Sequence, residues 1–279
     1  MNNSTIGAMV SMSALQQRMD LIAENIANLN TAGYKSKDGS FEDALTRVQG
    51  QSREYHQPGR STPLGYNLGF GIRVPSVTID WSEGPLMETG GPTDLALQGN
   101  GLFGVQVNGG TAYTRLGAFH YEPDPEPIEP GGGAQMRLVD NMRNPVLNTA
   151  GEIVRVPVGT IAAIDETGQM WTKTSETGEA TPGQRLMIVQ PLSKESLKAV
   201  DGGFFVLAEG VTEQQAFVQP GTDNYRQVGV RTGWLEQSNV DLNKEMTDLI
   251  QIQRTFQLAA RALSSSDQMA GLANGLRSG

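Results

Sequence analysis

The chain has 279 residues, with 30 acidic and 21 basic side chains, 34 glycines, 14 prolines and no cysteine. Its length suits one large domain or two ordinary ones, and a hydrophobic content of 38% allows a sizeable core. The lack of thiols excludes disulfides, cysteine-ligated metals and thiol catalysis, and no apolar run reaches the roughly 18 residues of a membrane span.

The first element is a helix. Met12, Leu15, Met19, Ile22, Ile26 and Leu29 are spaced 3, 4, 3, 4, 3, a two-in-seven apolar seam of the coiled-coil kind rather than a broad globular face. Asn25 flanks this seam and Asn28 faces away from it. Asparagine is a poor helix former, so the isolated helix is marginal in water. Gly33 in "TAGYK" reads as its left-handed stop. The first basic residue is Arg18, so the N-terminus does not read as a secretory signal peptide.

Residues 35–75 read as an extended linker or a long hairpin. "FEDALTRV" has the pattern of a short helix, and "GQSREYHQPGRSTPLGYNLGFG" is polar and rich in Pro and Gly. Residues 76–232 read as a mainly-β domain of short strands. "SVTIDW" places Val77, Ile79 and Trp81 on one face. "LFGVQVNGGTAYTRLGAF" is two strands joined at Asn108-Gly109. "VGTIAAIDETGQMWTKT" turns near Thr167-Gly168, and "RLMIVQPL" and "GGFFVLAEG" add strands. "EPDPEPIEPGGG" is an acidic proline loop.

Residues 233–279 form a second helical end. Leu249, Ile252, Phe256, Ala259 and Leu263 repeat the 3, 4, 3, 4 seam, Asp241 or Asn239 can cap the start, and the helix is expected to run to about Met269. The fold class is therefore α+β, with N- and C-terminal helices forming a coiled coil around a mainly-β centre. One reading is a helix pair that closes a globular fold. The other is a pair of seams that joins neighbouring copies.

Charge and chemistry narrow the function. Residues 76–237 carry 10 basic and 20 acidic side chains, and the flanks carry 11 and 10. An acidic centre argues against nucleic acid, whose phosphates it repels. Gly99, Gly101 and Gly104 match G-x-G-x-x-G, but a strand and turn follow where a dinucleotide fingerprint needs a helix. His56 and His120 have no partner at a metal-ligand spacing, and no G-x-S-x-G elbow occurs. Catalysis is not indicated, and no cofactor or metal is expected.

Four separated stretches then carry a resemblance. "ALQQRMDLIAENIANLNTAGYK" resembles the opening signature of the flagellar basal-body rod and hook family, and "GWLEQSNVDLNKEMTDLIQIQRTFQLAARALSSSDQM" resembles its closing signature. "GPLMETGGPTDLALQGNGLFGV" and "AYTRLGAFHY" match between them. Within the family the sequence looks most like the distal-rod type, with the proximal-rod type second. Leu29 and Tyr34 are mild departures, and the acidic proline loop is longer than the family's turn there.

The resemblance implies a structural subunit of the flagellar basal body, beyond the cytoplasmic membrane. It implies export as an unfolded chain through the flagellar type III apparatus, then polymerisation with copies of itself and with neighbouring rod and hook subunits. No membrane insertion is expected. Met12, Leu15, Met19, Ile22, Asn25, Ile26, Asn28, Leu29, Leu249, Ile252, Phe256, Ala259 and Leu263 are the expected assembly residues. A wall-associated glycan hydrolase would need a carboxylate pair in one cleft. A wall- or ring-binding module would need an exposed aromatic patch, with Trp81, Trp171 and Trp234 the residues to check.

Overall fold

The structure, a computed structural model, describes residues 3–40, 42–43, 47–50, 65–68, 72–73, 77–125, 134–173, 179–193, 196–200, 202–218 and 228–277. Three helices occur among them: α1 (Asn3–Ala27), the short α2 (Glu213–Ala216) and α3 (Leu242–Arg277). The chain divides into two compact units, one of residues 1–27, 37–80 and 241–279, the other of residues 28–36 and 81–240. No helix among the described residues is long and apolar enough to cross a membrane.

The first unit holds α1, α3 and a hairpin ladder. Lys37–Gly39 pairs antiparallel with Val77–Ile79, Glu42–Asp43 with Ile72–Arg73, and Arg47–Gly50 with Gly65–Leu68. The short helix expected at "FEDALTRV" is not seen: its described residues, 42–43 and 47–48, are strands. Cross-strand partners supply the backbone hydrogen bonds that a lone eight-residue helix cannot hold in water. The expected face of Val77, Ile79 and Trp81 does not form either. Val77 is exposed at the ladder's end, whereas Trp81 belongs to the second unit and is buried against Phe205, ring centroids 4.8 Å apart.

Two helix boundaries differ from expectation. α1 stops at Ala27 and a turn follows, in which Thr31 N–H donates to the Asn28 carbonyl at 3.1 Å. Leu29 is therefore not on the helical seam, and Asn28 is not on the helix. Gly33 is left-handed, with φ +68°, but it does not end α1. α3 continues past Met269 to Arg277. Each glycine inside a helix costs about 1 kcal/mol relative to alanine, a penalty that helix-forming neighbours such as Leu272 and Ala273 can offset. Asp241 caps its start, its Oδ1 accepting from the backbone N–H of Asn243 at 2.9 Å and of Lys244 at 3.3 Å.

The second unit is antiparallel β structure. A five-stranded sheet runs in the order Ile188–Val189, Leu102–Val107, Gly110–Thr114, Phe204–Leu207, Leu197–Val200. Its central hairpin turns at Asn108-Gly109, with φ of 51° and 80°, the left-handed pair that a two-residue turn requires. Two three-stranded sheets follow. One is Phe119–Pro123, Gln135–Asp140 and Arg155–Pro157. The other is Ile161–Ile164, Gln169–Lys173 and Thr181–Arg185, which turns at Thr167-Gly168. The core between them includes Phe103, Val105, Leu138, Val146, Val154 and Met170, all essentially inaccessible. The acidic proline loop lies outside the described residues from residue 126, as does most of "GQSREYHQPGRSTPLGYNLGFG".

Candidate assembly helices and a buried ionic node

In the first unit, α1 and α3 meet along the expected seam. Leu15, Ile22 and Ile252 are buried in one cluster, and Met19, Ile26, Leu249 and Phe256 pack against it half-buried. The heptad spacing of both helices produces this, because it keeps one narrow stripe of each turned to its partner. Met12, Ala259 and Leu263 are half-buried on the same two helices. Thus the seam is formed within a single chain. Asn28 and Leu29 are half-buried in the turn after α1, where Asn28 Oδ1 accepts from Thr31 Oγ1 at 3.1 Å.

Asn25 sits deeper than the spacing implied, at 1% exposure. Its Nδ2 donates to Glu245 Oε1 on α3 at 3.0 Å and to the Lys37 carbonyl at 2.8 Å, while its Oδ1 accepts from Lys37 N–H at 2.9 Å. Glu245 is itself buried, and burial pushes its carboxyl above the ordinary carboxylate range.

α3 has a second apolar aspect. Met246, Ile250, Leu258, Met269 and Leu272 are all exposed. At about 100° per residue, they fall on the flank and back of the helix, away from Leu249, Ile252 and Phe256. On α1, Met9 is exposed as well.

The second unit contains a node that the sequence reading did not find. Lys35, Arg115 and Glu236 are each less than 5% exposed. Lys35 Nζ donates to Glu236 Oε1 at 2.6 Å and to the Ser82 carbonyl at 2.6 Å. Arg115 Nε donates to Glu236 Oε2 at 2.5 Å, and its two terminal nitrogens donate to the carbonyls of Leu97, Gly99 and Gly101. Gly84 N–H completes the set on Glu236 Oε1 at 2.9 Å. The stretch that matched G-x-G-x-x-G therefore turns its carbonyls on a guanidinium rather than its amides on a phosphate. Burial pushes the Glu236 carboxyl up, but the Arg115 and Lys35 cations and the Gly84 N–H outweigh this and hold it below its ordinary value. The same burial pulls the Lys35 ammonium down despite Glu236. Removing any one member of so enclosed a triad would leave buried charge uncompensated. Lone charged residues in three distant stretches gave no sequence signal of it.

The tryptophans do not make an exposed patch. Trp81 is buried, half-buried Trp171 donates from Nε1 to Asp165 at 3.0 Å, and half-buried Trp234 lies under the Arg231 guanidinium at 4.7 Å. Among the described residues, none of the exposed large apolar side chains is aromatic.

Known proteins share this plan. The family described as flagellar basal body rod FlgEFG protein C-terminal matches residues 231–276, and that described as flagella basal body rod protein matches residues 8–35. The flagellar hook-basal body complex protein FlhP of Bacillus subtilis is 32% identical, over 99% of this chain and 100% of its own length. The flagellar basal-body rod protein FlgG of Agrobacterium fabrum is 30% identical over 95% of each, and FlgG of Bacillus subtilis 27% over 96% and 97%. On these matches, which span both helices and the β structure between them, the chain belongs to the flagellar basal-body rod protein family, in its FlgG and FlhP type.

Proposed function

We propose that this protein is a structural subunit of the flagellar rod that polymerises through its terminal helices and performs no catalysis. The observation that carries the reading is α3. Its inner stripe is occupied by α1 of the same chain, yet Met246, Ile250, Leu258, Met269 and Leu272 remain exposed on its other sides. Helices that pack in a tube need apolar contacts on more than one side, because each has neighbours around it as well as its own partner. Methionine suits such a surface, since its flexible thioether adapts to contacts that differ from neighbour to neighbour.

In this reading the assembly residues fall into two sets. Met12, Leu15, Met19, Ile22, Ile26, Leu249, Ile252, Phe256, Ala259 and Leu263 build the helix pair as a coiled coil. The exposed residues of α3 join pairs from neighbouring copies. The partners are copies of this chain and adjoining rod and hook subunits, reached after export as an unfolded chain through the flagellar export apparatus.

The test is a deletion strain complemented with two forms of the gene. The wild-type gene should restore motility and a complete rod in micrographs of isolated basal bodies. A gene carrying Ile250→Asp and Leu258→Asp should yield a folded, exported subunit and no complete rod. Full motility with the double variant would remove the exposed face of α3 from assembly. Normal basal bodies in the deletion strain would remove the protein from the rod.

A further inference from the structure

We propose that Asn25 and Glu245 form a buried polar lock that selects one register of α1 against α3 from the several that their apolar seams allow. This rests on the fold of a single chain rather than on the rod reading.

The seams themselves are ambiguous. Both repeat every seven residues, so a slide that brings Phe256, Ala259 and Leu263 to the places of Leu249, Ile252 and Phe256 restores most apolar contacts. The same slide is not neutral for Asn25. Moving α3 by one heptad brings Ile252 to the place of Glu245, and the opposite slide requires position 238, which precedes the start of α3 at Leu242. In either case Asn25 Nδ2 loses its acceptor on α3. The side chain cannot escape by swinging into solvent, because Lys37 N–H and carbonyl hold both ends of its amide. A buried amide whose partner on the facing helix is present in one register is the device by which coiled helices specify register at a cost in stability.

The chain has no cysteine, so paired labels can be placed without background. Asp20 on α1 and Arg254 on α3 are both exposed, and Asp20→Cys with Arg254→Cys would carry spin labels outside the seam. Pulsed electron-spin distance measurement on dilute full-length protein should give a single narrow distance. In backgrounds carrying Asn25→Leu or Glu245→Leu, a second population should appear, displaced by about 10 Å along the axis, the rise of seven helical residues. Glu245→Leu leaves the Lys37 contacts of Asn25 in place and so separates the lock from a local effect on α1. A single unchanged distance in both backgrounds would overturn the proposal, since the register would then be set elsewhere. A broad distribution without a resolved second peak would also overturn it, because the node would hold the pair closed rather than choose its register. None of these outcomes depends on whether the protein forms a rod.

Discussion

Arg115 and Glu236 lie 121 residues apart in the chain and meet through Nε and Oε2 at 2.5 Å, both buried. With Lys35 they draw together the stretches that carried the family resemblance. Lys35 ends "TAGYK", Arg115 lies in "AYTRLGAF", Glu236 lies in "GWLEQSNVDL", and the accepting carbonyls belong to "DLALQGNGLFG". These motifs therefore meet in one place within the β unit.

Glu236→Gln should be the most damaging single change at that node. It keeps the shape and removes the charge, leaving Lys35 and Arg115 buried beside a neutral amide. Breaking one partner out of a buried ion pair costs about 3–5 kcal/mol. Glu209→Gln, at an exposed position, should stay within about 0.5 kcal/mol. Urea unfolding of the full chain followed by tryptophan fluorescence measures both. Equal effects would show that the triad contributes no more than surface charge.

Gly33→Ala should be costly for two reasons. Residue 33 has φ +68°, and an added Cβ would stand 2.8 Å from the Arg115 carbonyl carbon and oxygen and the Leu116 nitrogen. Gly90→Ala, at φ +72° with nothing within 4 Å of the new atom, carries the backbone strain alone, about 1 kcal/mol. Thermal melting should therefore place Gly33→Ala well below Gly90→Ala. Matching midpoints would mean that the neighbouring backbone yields freely.

Leu249→Asp should open the helix pair and spare the β unit. Leu249 packs on the Leu15, Ile22 and Ile252 cluster, and a carboxylate there loses the apolar contacts and is desolvated, at roughly 2–5 kcal/mol. Helical circular dichroism should fall, while the melting of the Trp81 environment should be unchanged. A loss of both signals together would show that the helices and the β unit unfold as one.

Acid should act on the two units with opposite signs. Glu245 is raised by burial and faces Asn25 on α1, Asp38 in the ladder, and Lys244 and Asp248 on its own helix. Its contribution is fully present below the ordinary carboxylate pKa and is lost as pH rises through the raised value. The helix pair should thus tighten on going from neutral to mildly acidic pH. Glu236 is held low, so its contribution is present above the ordinary carboxylate pKa and is lost as pH falls through the depressed value. Amide exchange corrected for its intrinsic pH dependence resolves the two units. Glu245→Gln should flatten the response of the helix pair, and a helix pair that loosens in mild acid would contradict the assignment.

The sequence by itself determined the elements whose signal is periodic or local. The heptad stripes of Met12 to Ile26 and Leu249 to Leu263 predict two helices, Asp241 predicts a cap, and Asn108-Gly109 predicts a hairpin. In each case the signal is carried by residues a few positions apart. Tertiary structure alone decided what depends on residues far apart in the chain. Residues 42–43 and 47–48 of "FEDALTRV" became strand because residues 72–73 and 65–68 offered them backbone partners. Asn28 and Leu29 left the helix because the chain turns after Ala27. Leu97, Gly99 and Gly101 became a cradle for Arg115, and Lys35 and Glu236 became a pair across 201 residues. A buried charge is stable only beside its partner, and no spacing along the chain reveals which distant residue that partner is.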